Sequence, residues 1–239
     1  SGVTSTYYLN SLTYGNVLVS VGSSSVYSYS GDGSVWTSGL VGFGGTIGFN
    51  QVSCGGTNVY LAAGDYGTIV KSIGYGNTIT SWSKISLVQE VIVPGLGVIG
   101  KVGSSYTGSF RSVTYSSYFD TWTAVGVATA TPTLFTGVGI GTTALIQRYS
   151  DTLSNLNSVV AGPNQIVAVG DNGTIVRSVN SLVWESLTSP TVQNLNKVIY
   201  IDGNFIAVGN NGTIIKSINS STFQYIYTNV SENIIDIFY

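Results

Sequence analysis

Apolar and polar residues alternate in short runs along the chain. The runs read LNSLTYG from Leu9, FNQVSCGG from Phe49, VQEVIVPG from Val88, LNSVVAG from Leu156 and LNKVIYIDG from Leu195. Alternation of this kind marks a strand with one buried face. A second segment rich in Val, Ile and Ala follows each, ending at Gly22, Gly64, Gly103, Gly139, Gly170 or Gly209. Glycine at such an end is expected to supply a positive φ. The best copies then turn through Asp65-Tyr66-Gly67, Asp171-Asn172-Gly173 and Asn210-Asn211-Gly212, which is tight-hairpin chemistry. A third strand follows as GTIVKS, GTIVRS or GTIIKS, weakening to SVYSYS before Gly31 and ALIQRYS before Asp151.

A serine and a short turn lead from the third strand to an aromatic residue that opens a fourth. The spacing is the same from Ser30 to Trp36, Ser178 to Trp184 and Ser217 to Phe223, and longer from Ser72 to Trp82 and Ser112 to Trp122. All 4 tryptophans fall in this slot, so they are expected to fill the gaps between neighbouring units.

Self-similarity at a period of about 40 residues, with four short strands per unit and no helical stretch, predicts an all-β β-propeller. The boundaries predict about six blades, with seven possible, in one domain over residues 1–239. The repeats run 9–48, 49–87, 88–126, 127–155, 156–194 and 195–231. The blades should be mostly four-stranded and antiparallel. The fourth repeat is incomplete, since no strand fits between Arg148 and Leu156 and its first strand near 127–133 is weakly marked. Residues 232–239 (ENIIDIFY) match the first strand of another unit, expected either to close the ring or to be exchanged with another subunit.

Composition narrows the function. Only 8% of the 239 residues are charged, against roughly 25% in ordinary soluble domains. A net charge of −2 offers no basic field for nucleic acid. No apolar run reaches the length of a bilayer span and no signal peptide is recognisable, so membrane insertion is not expected. The single cysteine, Cys54, reads as a small buried strand residue. The chain has no methionine, so either processing removed its start or it is a piece of a longer polypeptide.

The segment SGDGSVW from Ser30 to Trp36 resembles the Asp-box of the BNR and sortilin-like propellers, in which Ser and Asp hold the turn between third and fourth strands. Repeats five (SVNSLVW) and six (SINSSTF) keep its ends and lose the acid. The wider pattern LNSVVAGPNQIVAVGDNGTIVRS is similar to the repeats of photosystem II stability factor-like proteins and of many bacteriophage tail proteins. The resemblance covers about Leu9 to Phe223 and implies a propeller; a propeller alone does not set an activity.

The chain has no histidine, which removes the usual general base and most zinc sites. Asp-box sialidases use three arginines and a Tyr-Glu pair, but the basic residues here, Lys71, Arg111, Arg148, Arg177 and Lys216, recur at one place in the repeat and read as a ring rather than a converging site. They are structural strand ends by one reading and anion contacts by another. Among the 10 acids no pair stands out for glycoside hydrolysis, and most lie in turns. No enzyme, metal or cofactor is expected. Sequons occur at Asn172, Asn211, Asn219 and Asn229. The expected role is a structural or binding propeller, extracellular or on a virion surface, most like a phage tail or fibre component that engages a partner subunit or host glycan. A secreted lectin or glycosidase is the alternative. Ile234, Ile235, Ile237, Phe238 and Tyr239 are the candidate subunit contact.

Overall fold

The computed structural model describes residues 7–43, 45–130, 133–218 and 221–239. Strands β1 (Leu9–Tyr14), β2 (Leu18–Gly22), β3 (Val26–Ser30) and β4 (Thr37–Leu40) form the first sheet in chain order. The second holds β5 (Phe49–Gly55), β6 (Val59–Gly64), β7 (Ile69–Tyr75) and β8 (Thr78–Ile79), with β9 (Ser83–Lys84) also paired to β7. β10 (Ser86–Val93) and β11 (Gly97–Gly103) form a hairpin that joins the third sheet, whose main strands are β12 (Phe110–Ser116), β13 (Thr121–Gly126), β14 (Leu134–Val138) and β15 (Ala144–Arg148). The fourth runs β16 (Leu156–Ala161), β17 (Ile166–Gly170), β18 (Ile175–Ser178) and β19 (Glu185–Ser186). The fifth runs β20 (Leu195–Ile201), β21 (Asn204–Gly209), β22 (Ile214–Ser217) and β23 (Phe223–Ile226). The protein is a β-propeller, and its described strands form five sheets.

The first strand of each blade carries one irregularity at the same position. Register shifts fall between Leu9 and Ser11, Phe49 and Gln51, Phe110 and Ser112, Leu156 and Ser158, and Leu195 and Lys197. The intervening residue is bulged out of the ladder, which re-aims its side chain. In four blades that residue is asparagine. Asn10, Asn50 and Asn157 donate through Nδ2 to the carbonyl that opens the next inner strand, at Phe49, Phe110 and Leu195, and Asn196 donates likewise to Ile234 O of the tail, over 2.8–2.9 Å.

A second recurring bond runs from the amide of residue four of an inner strand to residue three of the preceding one: Val52 to Ser11 Oγ, Val113 to Gln51 Oε1, Val159 to Ser112 Oγ and Val198 to Ser158 Oγ. These short polar side chains stitch blade to blade around an axis, because an inner strand has no further strand to satisfy that edge.

Between the stitches, each blade lays one apolar face on its predecessor. Phe49, Val52, Ala62, Val70 and Trp82 of blade two pack on Val17, Val19 and Val21 of blade one. Leu156, Val159, Ala168, Val176 and Trp184 of blade four pack on Val125 and Leu134 of blade three. Leu195, Val198, Ala207, Ile215 and Phe223 of blade five pack on Val167, Val169 and Ile175 of blade four. Directly paired residues of the first three strands run across this face, as registers Val159–Ala168–Val176 and Val198–Ala207–Ile215 show.

Four expectations are corrected. The repeats placed at 88–126 and 127–155 share one sheet: Phe110 opens its inner strand, β15 is its fourth strand, and β10 pairs parallel to β15 as an added edge. Residues 127–130 form no strand, and 131–132 lie outside the described residues. Trp122 consequently sits on a second strand, opposite Tyr115, although it is fully buried as expected. Trp36 occupies the expected slot but is 41% exposed, because among the described residues no blade packs ahead of blade one.

The fourth correction concerns glycine. Of the six strand-ending glycines Gly139 alone has a positive φ, 86°; Gly22 and Gly170 are extended at −166° and −162°. They are needed for close approach. A Cβ at Gly22, Gly170 or Gly209 would lie 1.8–2.1 Å from the carbonyl oxygen of Tyr8, Asn155 or Asn194. Positive φ falls on the turn residues after them, at Tyr66-Gly67, Asn172-Gly173 and Asn211-Gly212.

Candidate binding surfaces

The inner strands enclose an axial cavity of about 470 Å³, lined by residues two and three of each, by Leu12 of blade one and by Ile235–Phe238 of the tail. Its walls carry amides and hydroxyls, many already engaged in the blade-to-blade stitching, beside charged Arg111, Lys197 and Asp236 and apolar Leu12, Ile235, Ile237 and Phe238. Arg111 occupies the asparagine position of blade three and donates to Asn157 Oδ1; Lys197 pairs with Asp236 at 3.2 Å. The asparagines also reach back to their own turns, Asn157 to Asp171 Oδ1 at 2.9 Å and Asn196 to Asn210 Oδ1 at 3.0 Å.

The five basic candidates are not one ring. Lys71, Arg177 and Lys216 do share a third-strand position, opposite Leu61, Val167 and Ile206. Lys71 reaches the next blade's backbone at Gly141 (2.7 Å) and Thr142 (2.9 Å), and Arg177 bonds Glu185 of its own blade at 2.9 Å through Nε. Arg111 faces the axis, and Arg148 ends β15, ion-paired with Glu90 at 3.2 Å. The motif Phe110-Arg111-Ser112-Val113 matches Leu156-Asn157-Ser158-Val159, the signal that would have placed Arg111 correctly.

Among the described residues no cluster of three metal-ligating side chains occurs. Asp171 is held by Asn155 and Asn157, and Asp120 takes a hydrogen bond from Tyr115, whose pKa rises to about 12 chiefly through burial. Cys54 is half-buried on β5, and burial raises its thiol pKa. Tyr60 is fully buried between blades one and two; its hydroxyl donates to Val17 O and accepts from Val17 N–H, and burial lifts its pKa to about 12.

The turn from Ser30 to Trp36 in blade one is closed by its own side chains. Ser30 Oγ accepts from Gly33 N–H at 2.8 Å, Asp32 Oδ1 accepts from Ser34 and Val35 N–H at 2.8 and 3.2 Å, and Trp36 Nε1 donates to Gly33 O at 3.0 Å. Those backbone donors hold the Asp32 pKa below its usual value. In blade four Asn180 takes the same part, accepting from Leu182 and Val183 N–H at 3.0 and 2.9 Å. The turn needs an acceptor oxygen, not a charge. Of the sequons, Asn172, Asn211 and Asn229 are exposed and Asn219 lies outside the described residues.

Among the described residues no blade packs ahead of blade one, and its packing face is open. Leu9 and Leu12 are 56% and 58% exposed, where the equivalent Phe49, Val52, Leu156, Val159, Leu195 and Val198 are 0–6% exposed. Ser20 and Ser28 stand where other blades have Ala168 and Val176, and a groove of about 630 Å³ runs between Leu9, Leu12, Ser20, Ser28 and Trp36. The Ser20 hydroxyl is buried there without a hydrogen-bond partner. At the other end of the chain the tail residues Ile235, Phe238 and Tyr239 are 78%, 92% and 96% exposed.

No family model matches the chain, and no curated protein matches it. Solved structures do. A structure described as YCF48 bound to D1 peptide is similar over 92% of this chain and 66% of its own, with TM-score 0.62 and 18% identity. The computationally designed Ika8 protein is similar over 95% of this chain and 64% of its own, with TM-score 0.63 and 15% identity. The chain thus spans about two thirds of the length of either, 66% and 64%. At these identities the likeness concerns the fold.

Proposed function

We propose that the protein is a non-enzymatic binding propeller, a component of a larger assembly that engages another protein through the open side of the ring. The carrying observation is the exposure of Leu9 and Leu12, 56% and 58%, at positions buried in every other blade. An apolar surface rimmed by hydroxyls is what a protein interface presents before its partner arrives. YCF48, a structural neighbour, is described in complex with a peptide, which supports peptide or protein binding as a use of this architecture. The low charge and hydroxyl-rich surface support an exposed position, on a virion or cell surface. Many axial polar groups, Ser11, Gln51, Ser112, Asn157 and Ser158 among them, are engaged in blade-to-blade bonds, and Lys197 is paired with Asp236, which supports a binding role.

A host glycan is the second reading, supported by exposed tyrosines such as Tyr66, Tyr75 and Tyr149 among hydroxyls. Affinity capture from the native source with identification of the partner, run beside a glycan array, separates the two. The protein reading expects one identified partner that is lost with Leu12→Asp, and no glycan signal. A glycan bound equally by both forms, with no protein retained, would replace it.

A further inference from the structure

We propose that the axial cavity is an oxyanion site, in which Arg111 and the hydroxyls of Ser11, Ser112 and Ser158 receive the carboxylate or phosphate group of a small acid. The site lies on the axis and stands whether or not a protein docks on the open side of the ring.

Arg111 departs from its repeat without a partner acid. At residue two of the inner strand other blades carry asparagine, which answers the turn of its own blade: Asn50 reaches Asp65 Oδ1 at 3.4 Å, Asn157 reaches Asp171 Oδ1 at 2.9 Å and Asn196 reaches Asn210 Oδ1 at 3.0 Å. The turn residue of blade three is Val127, whose N–H donates to Ser109 O at 2.9 Å as that of Asp171 donates to Asn155 O at 3.0 Å. A carboxylate at that position would neutralise Arg111, and the sequence places an apolar residue there instead. Among the described residues no carboxylate lies within ion-pair distance of Arg111. Asp171 is turned to the amides of Asn155 and Asn157, and the other cation on the cavity wall, Lys197, is paired with Asp236 at 3.2 Å. Arg111 is therefore the uncompensated charge of the cavity. It gives one bond to Asn157 Oδ1, and a guanidinium carries a fork of further N–H donors.

Residue three of the inner strands supplies more donors. Ser11, Ser112 and Ser158 Oγ each accept the amide of the next inner strand over 3.1–3.2 Å, which leaves each hydroxyl proton to donate. Among the described residues that proton meets no acceptor, and Ser112 and Ser158 are buried. All three line the cavity with Arg111. A group that only accepts, and carries negative charge, satisfies the hydroxyls and the guanidinium together; carboxylate and phosphate are such groups. A sugar hydroxyl would bring donors to a wall of donors, and a cation would meet the free guanidinium. The volume of about 470 Å³ admits a small molecule.

The test uses the folded chain with acetate and inorganic phosphate as probes, at constant ionic strength set by chloride, and follows the Nε–H resonance of Arg111 together with Tm. At least one of the two anions should shift that resonance saturably and raise Tm, while acetamide, which has the shape of acetate without its charge, should do neither. Tighter acetate assigns a carboxylic acid to the cavity, and tighter phosphate a phosphorylated compound. Arg111→Asn restores the residue that other blades carry, so it should keep its Tm in chloride and bind at least about tenfold more weakly. Arg111→Gln should do the same, and Lys101→Gln, which removes an equal charge from the exposed strand β11, should bind as the wild type does. Should neither Arg111 variant fold, the wild-type resonances decide: a shift confined to Arg111 supports the site, and equal shifts at Arg148 and Arg177 overturn it. No saturable response to either anion, or binding by Arg111→Asn and Arg111→Gln as tight as that of the wild type, also overturns the proposal.

Discussion

Leu9 and Leu156 hold the same place in the repeat, yet one is 56% exposed and the other is fully buried. Truncating each to alanine measures what a preceding blade contributes. Leu156→Ala removes apolar atoms from a site enclosed by Val125, Leu134 and Trp184 and leaves a cavity, so it should cost about 2–5 kcal/mol. Full burial of a leucine is worth about 1.5–3 kcal/mol. Leu9 has less than half of that to lose and borders an open groove that gains no enclosed void, so Leu9→Ala should cost under about 1 kcal/mol. For a chain of this size, each kcal/mol corresponds to roughly 2–4 °C in Tm. Leu156→Ala should thus lower Tm by at least about 4 °C and Leu9→Ala by at most about 4 °C. Urea titrations with unchanged slope should preserve the order. Equal losses would mean that blade one is covered, and would refute the open ring.

Three further substitutions probe the stitching. Tyr60→Phe leaves the buried Val17 N–H without its acceptor and should cost about 1–3 kcal/mol by urea denaturation. The raised Tyr60 pKa adds a pH signature. A phenol kept neutral by folding contributes stability that is complete below its unfolded pKa of about 10 and is lost as pH rises through about 12 in the folded chain, so Tyr60→Phe should flatten that alkaline fall. Gly170→Ala drives a Cβ to within 1.9 Å of Asn155 O and should destabilise by about 3 kcal/mol or more, whereas Gly100→Ala, with nothing within 4 Å, should leave Tm nearly unchanged. Asp32→Asn should keep the turn, as Asn180 does in blade four. It should also remove the part of the stability that the wild type loses as pH falls below the ordinary aspartate range through the lowered Asp32 pKa, read as the acid limb of Tm against pH.

The hairpin turns and the strand triplets were legible because each is a local pattern: left-handed turns favour Gly and Asn, and buried faces need alternation. The third blade was not. Val88–Val93 alternates as well as any inner strand, but its partner strand β11 is exposed throughout and the hairpin is an edge addition made by a parallel, non-local pair. Alternation reports a face, not a place in the sheet. Arg111-Ser112 also mimics the basic-serine end of a third strand, which hid the inner-strand pattern Phe-x-Ser-Val. Trp36 was misplaced for another reason: its own sequence is that of its repeat, and only the missing neighbour decides its exposure. The stitching asparagines were visible in the repeats, but their reach into the next blade depends on a bulge that a pattern of apolar positions does not show.

The central claim, a ring open ahead of blade one, is tested most directly by residue-resolved amide exchange. The amides of Val52, Val113, Val159 and Val198 are each bonded to the preceding inner strand. Leu12 holds the same position with no preceding blade among the described residues. Slow exchange at those four amides and fast exchange at Leu12 is the predicted result; protection of Leu12 to the level of Val159 would contradict it.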